Sequence, residues 1–100
     1  MSRKPNTNRD GRTWSEDQKR KVWNDGGVSI LGLPVNEWKN DRCGKRMKYS
    51  EHGNRNSIHG WEIDHINPVS NGGSDEYINL QPLHWKNNLD KADKRFWSCP

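Results

Sequence analysis

Asp64 and His65 stand side by side, and Asn79 and Asn88 follow in the same segment, Trp61 to Asp93, which reads WEIDHINPVSNGGSDEYINLQPLHWKNNLDKAD. These residue types suit one-metal hydrolysis. A carboxylate at Asp64 and an amide oxygen at Asn88 are hard donors for a divalent cation, and an imidazole, which titrates near neutrality, can take a proton from water at position 65. Two protein donors leave the rest of an octahedral shell to water and substrate oxygens, which favours magnesium, or manganese, over structural zinc. Phosphodiester hydrolysis needs an in-line nucleophile, a base and charge stabilisation at the leaving oxygen, and this inventory covers all three.

The elements that must hold these residues are legible around them. Trp61 to Ile66 sets large apolar residues at 61 and 63 between polar ones until Asn67-Pro68 stops the run, the pattern of a strand ending in a turn. Consecutive strand side chains point to opposite faces, so Asp64 and His65 are expected to diverge, separating metal from nucleophile across a phosphate. Asn71-Gly72-Gly73-Ser74-Asp75 reads as a turn-rich loop, and residues 78–83 as a second short strand with Leu80 turned inward. From His84 to about Arg95 the chain is rich in helix formers, with Leu89 and Ala92 three apart on one face and Lys or Arg on the other.

Upstream, Ser15 and Gln18 have capping-box spacing, with acids in the first turn and Lys19, Arg20 and Lys21 after them, which predicts a helix of about ten residues. Asp25-Gly26-Gly27 ends it, and residues 25–36 read as loop. Residues 37–60 suggest a short helix or turn and one or two weak strands on a basic stretch. Residues 1–12 lack apolar periodicity and read as a disordered basic leader able to touch a phosphate backbone. The chain is thus expected to be α+β, a single domain over residues 13–100 with its core at 61–95, an N-terminal helix and irregular basic segments.

Composition limits the alternatives. Leu, Ile, Val and Phe number fifteen in 100 residues, few for a folded chain, but the six tryptophans carry enough area to build a small Trp-rich core. A net charge of +4 and a pI near 9.3 permit a polyanionic partner without naming one. There is no apolar run of transmembrane length and no apolar stretch near the N-terminus, so no membrane partner is expected and the chain reads as cytoplasmic. Without an export signal, Cys43 and Cys99 are expected as free thiols. His52 and His59 read as surface residues, and Trp61 and Trp85 as packing rather than base-stacking groups.

Residues 61–93 resemble the ββα-metal module of the HNH endonuclease family, as in small stand-alone bacterial and phage nucleases; a weaker similarity runs upstream through Asp41-Arg42-Cys43-Gly44. In the family motif an Asp-His pair ends the first strand, an Asn lies in the hairpin and a His or Asn sits on the helix, slots filled here by Asp64-His65, Asn79 and Asn88. The resemblance implies that His65 and Asn79 form the catalytic set, His65 as general base and Asn79 tying the hairpin and orienting it, while Asp64 and Asn88 hold the metal. It also implies nicking of DNA, in preference to RNA, to give 5'-phosphate and 3'-hydroxyl ends, in the cytoplasm of a bacterial or phage-infected cell. Lys86, Lys91, Lys94 and Arg95 are the candidate phosphate contacts, with Asp90 and Asp93 interrupting them.

Zinc-stabilised relatives carry one C-x-x-C pair before the module and another at the start of the helix. Here those positions are Cys43 with Arg46 and His84 with Asn87, too few ligands for a structural zinc, so His84 and Cys43 read as structural remnants. Two rival readings are a non-catalytic nucleic-acid-binding module on the same fold and a small zinc-stabilised interaction domain using Cys43 and His84. One small module should read little sequence alone, leaving targeting to a partner protein.

Overall fold

The computed structural model describes residues 3–100. Helix α1 (Glu16–Gly26) starts where the sequence places it: the Ser15 side chain accepts from the Gln18 amide, and the Gln18 side chain accepts from the Ser15 amide. At its other end the chain passes close to the next layer. A Cβ on Gly26 would stand 2.5 Å from Pro82 Cδ, so this position tolerates only glycine at the observed spacing.

Three short strands follow, β1 (Val28–Ser29), β2 (Trp38–Asn40) and β3 (Arg46–Lys48), paired antiparallel in that order. The first lies in the stretch expected as loop; Val28 and Ser29 are both exposed, and nothing in their side chains announces the pairing. Lys39, on β2, is buried and donates to the carbonyls of Trp23, Asn24 and Gly27 at the end of α1, where Trp23 also accepts from the Gly27 amide.

The second sheet is the hairpin of β4 (Trp61–His65) and β5 (Leu80–His84), with Trp61 opposite His84, Asp64 opposite Gln81 and His65 opposite Leu80. Helix α2 (Trp85–Lys91) follows directly. The observed order is therefore strand, loop, strand, helix within an α+β chain, as the sequence indicates. All five residues of β4 are buried, as are all five of β5. One reason is the aromatic core: Trp23 meets Trp61 at 5.1 Å and Tyr49 at 5.3 Å between ring centroids, alongside Trp14, Val22, Met47, Ile63 and Leu80. Trp23 and Trp61 keep their indole N–H groups satisfied by the carbonyls of Val35 and Tyr49.

Four expectations need correction. Helix α2 stops at Lys91 rather than near Arg95, because Ala92 takes a φ of 49°. Its inner face is polar: Asn87, Asn88 and Lys91 are buried whereas Leu89 is 59% exposed, since this face closes over the polar groups of β4 instead of an apolar core. Cys43 and Cys99 are not free thiols but a disulfide with Cα atoms 5.5 Å apart. His52 and His59 are half-buried rather than superficial, the first packed on Trp61 and the second on Trp38.

The leader also differs from its expected disorder. Met1 and Ser2 lie outside the described residues; residues 3–12 form turns without helix or strand, yet they are fastened to the body by side-chain and backbone hydrogen bonds from Asn6 and Arg9.

Candidate active site

Asp64, His65 and Asn88 line one open cleft of about 210 Å³. The strand alternation sends the two neighbours to different partners. The Asp64 carboxylate meets Gln81 Nε2 at 2.9 Å and Lys91 Nζ at 3.3 Å. The His65 ring meets Asp75 and lies 5.6 Å from the Trp14 ring. Burial pushes the Asp64 carboxyl above the usual carboxylate range, against the opposing pull of Gln81 and Lys91.

His65 Nε2 lies 2.7 Å from Asp75 Oδ1. An ionised carboxylate only accepts, so Nε2 carries the hydrogen and a neutral ring has its lone pair on Nδ1. Asp75 therefore fixes the tautomer. This residue was missed in the sequence, where it reads as part of a Gly-rich turn; the available signal was an acid ten residues after His65 in a loop that must return beside it.

Asn79 does not touch His65. Its side chain accepts from the Asn67 amide and donates to the carbonyls of Asn67 and Ser74, closing the loop from both ends. The same loop has no room for a side chain at Gly73, whose Cβ would collide with the Asn67 carbonyl oxygen. Asn79 thus fixes the loop that carries Ser74 and its neighbour Asp75, the residue bonded to His65.

Asn88 is oriented by a carboxylate the sequence reading passed over. Its Nδ2 donates to Glu62 Oε1 at 2.8 Å, and Glu62, buried on β4, is held by the fork of Arg55 at 2.8 and 2.9 Å. With the amide nitrogen so engaged, the Asn88 oxygen is the atom left to serve as a ligand.

Among the described residues, no group of three or more His, Cys, Asp or Glu side chains could hold a metal. The donor set that fits a cation here is Asp64 with Asn88, two hard oxygens on one cleft. Asp64 is buried with one positive partner, Lys91 at 3.3 Å, and a hydrated divalent ion held beside it would add a second.

Lys91 is not a phosphate contact. It is 1% exposed, and its ammonium spans Asp64 and the His65 carbonyl, at 3.3 and 2.9 Å, because it lies three residues after Asn88 on the inner face of α2. Lys86, Lys94 and Arg95 are exposed.

Cys43 and His84 do not form a metal site together. Cys43 is spent in the disulfide, and both ring nitrogens of His84 are engaged, Nε2 with the Ile58 carbonyl and Nδ1 accepting from the Lys86 amide as the cap of α2. Burial lowers the His84 pKa below the usual imidazole range. The link between this turn and the helix start is instead the buried carboxylate of Asp41. One oxygen accepts from the amides of Cys43 and Lys45, the other from the His84 amide and Asn87 Nδ2.

A two-stranded hairpin followed by a helix, with an Asp-His pair at the end of the first strand and an Asn on the helix, defines a ββα nuclease-type site. The HNH endonuclease family model matches residues 41–94, more than half of the chain, and the chain belongs to that family. Members are generally endonucleases that act on nucleic acid and use a divalent metal. No curated protein and no solved structure is similar enough to register as a match.

Proposed function

We propose that this chain is a metal-dependent endonuclease that hydrolyses phosphodiester bonds, nicking DNA rather than RNA with low sequence specificity. The observation that carries this reading is the convergence on one cleft of Asp64, Asn88 and a His65 whose tautomer Asp75 fixes.

Asp64 and Asn88 would hold one divalent ion, magnesium first and manganese second. When bound, such an ion supplies Lewis acidity at the scissile phosphate and neutralises the departing 3'-oxygen. His65 takes the proton of the attacking water on Nδ1, and Asp75 steadies the ring as it becomes charged. Attack on phosphorus with departure of the 3'-oxygen leaves 5'-phosphate and 3'-hydroxyl ends. Lys86 in the first turn of α2, with Lys94 and Arg95 beyond its end, presents positive charge for the flanking backbone. One module has one such centre, so it cuts one strand per encounter, and recognition of a longer site falls to a partner protein.

Among the described residues, no helix is long and apolar enough to cross a membrane. We place the activity in the cytoplasm of a bacterial or phage-infected cell.

One observation favours a second reading, a nucleic-acid-binding module without catalysis. Lys91 already gives Asp64 a positive partner inside the protein. A supercoiled-plasmid assay with magnesium, manganese or chelator separates the two. The nuclease reading expects metal-dependent nicking that fails in Asp64→Ala and falls by about 10²–10⁴ in His65→Ala. Undiminished cleavage by His65→Ala overturns it, and DNA binding without cleavage under every metal supports the second reading.

A further inference from the structure

One wall of the cleft comes from outside the matched family segment. Arg3, Pro5 and Asn6 line it together with Asp64, His65 and Asn88. These leader residues are built into place. The Asn6 side-chain oxygen accepts from the Ile63 amide at 2.8 Å and from His52 Nε2 at 3.0 Å, with Asn6 itself in the left-handed region at φ 59°, which asparagine tolerates better than most residues. Further along, the Arg9 amide donates to both oxygens of Asp75, at 3.0 and 3.2 Å, the same carboxylate that holds His65.

Around the first of these fastenings the segment folds on itself. Thr7 is buried, its hydroxyl donates to the Lys4 carbonyl, and Arg3 Nη1 donates to the Thr7 carbonyl at 2.8 Å and the Thr7 hydroxyl at 3.1 Å. The guanidinium is thereby positioned through one nitrogen. Its Nη2 and Nε donate to nothing among the described residues. Arg55, the other arginine on the cleft, has its fork occupied by Glu62. Two spare, coplanar sets of donors on a pre-positioned guanidinium match a phosphate diester better than any ammonium does.

We propose that residues 3–9 are a substrate strap, in which Arg3 grips a DNA phosphate next to the scissile one and Asn6 pins the strap against β4. The proposal rests on the nuclease reading for the location of the scissile phosphate, but it is tested by binding.

The test is fluorescence anisotropy of a labelled duplex oligonucleotide in chelator, with the full chain and the variants Arg3→Ala, Lys4→Ala and Asn6→Ala, across a salt series. Lys4 is exposed and does not line the cleft, so it controls for loss of charge alone. Arg3→Ala should weaken binding by roughly 5- to 10-fold and lower the salt slope by about one. Lys4→Ala should change affinity by less than about twofold, and Asn6→Ala should reproduce the Arg3→Ala loss, with the double variant no weaker than either alone. Manganese affinity by calorimetry should not change in Arg3→Ala.

Native affinity and slope in Arg3→Ala, or an equal loss in Lys4→Ala, overturns the strap. The two readings fail separately. Arg3-dependent binding by a chain that never cleaves upholds the strap and removes the nuclease, cleavage with Arg3-independent binding does the reverse, and a native chain that binds no duplex at all removes the strap.

Discussion

On the nuclease reading, the side chain that decides which nitrogen of His65 serves as base is Asp75, because a ring bonded to a carboxylate through Nε2 can offer only Nδ1. Asp75→Asn, whose amide can turn its NH₂ towards the ring and move the hydrogen to Nδ1, should lower kcat by about 10- to 100-fold. KM should change little, and steady-state cleavage of a labelled duplex over a range of concentrations measures both. A rise in KM with unchanged kcat would mean that Asp75 serves only the loop. Glu62 plays the matching part for Asn88: Glu62→Gln should lower manganese affinity by about 10-fold in a calorimetric titration, because a glutamine there can present a donor to the Asn88 amide and turn its oxygen away. The sequence offers the proposed base and the proposed metal donors but not these two acids, since each meets its partner through the fold and neither stands in a recognisable spacing.

At the scale of elements, the joint between the turn at 41–45 and the start of α2 rests on the Asp41 carboxylate, which is 1% exposed and accepts from four donors. Removing it strands those donors in a buried place, so Asp41→Ala should cost about 3 kcal/mol or more. For a domain of this size that is a loss of roughly 12 °C or more in Tm by circular dichroism. A drop of only a few degrees would show that water replaces the carboxylate. The helix start is a simpler case: Ser15 and its partner Gln18 are local, three residues apart, and the cap was legible for that reason. Helix α2 shows the opposite. Its apolar Leu89 faces solvent and its Lys91 is buried, an inversion that periodicity cannot foresee because the face it covers is a polar site.

Across the whole molecule, two features tie distant parts together. The Cys43–Cys99 bond closes a loop spanning the entire ββα unit, with a sequence separation of 56, and by loop entropy it can contribute up to about 4 kcal/mol. Urea unfolding with and without dithiothreitol should show that loss, and coincident curves would mean that the C-terminal tail adds nothing to stability. The second feature is His52, which joins the leader to the core. Its pKa is lowered from the ordinary imidazole value of 6.5 to about 4, chiefly by burial and secondarily by Lys19. The folded state therefore prefers the neutral ring, and this contribution is full above about pH 6.5 and is lost as pH falls towards 4, because the unfolded chain takes the proton first. The native chain should lose more stability between pH 7 and pH 4.5 than His52→Gln does; equal losses would assign the acid sensitivity elsewhere.

What the sequence determined by itself was whatever depends on neighbours along the chain: the capping box of α1, the strand that ends at Asp64-His65, the turn at Asn67-Pro68, the order strand, loop, strand, helix, and the membership of Asp64, His65, Asn79 and Asn88 in one motif. What only the tertiary structure decided depends on groups far apart in the chain and close in space. Asp75 reaches His65 through a folded loop, Asp41 takes the joint expected of a lost zinc site, Cys43 finds Cys99, and Asn6 brings a leader expected to be disordered onto the cleft. A buried polar group must find a partner wherever the fold supplies one, and no local pattern records which residue that will be.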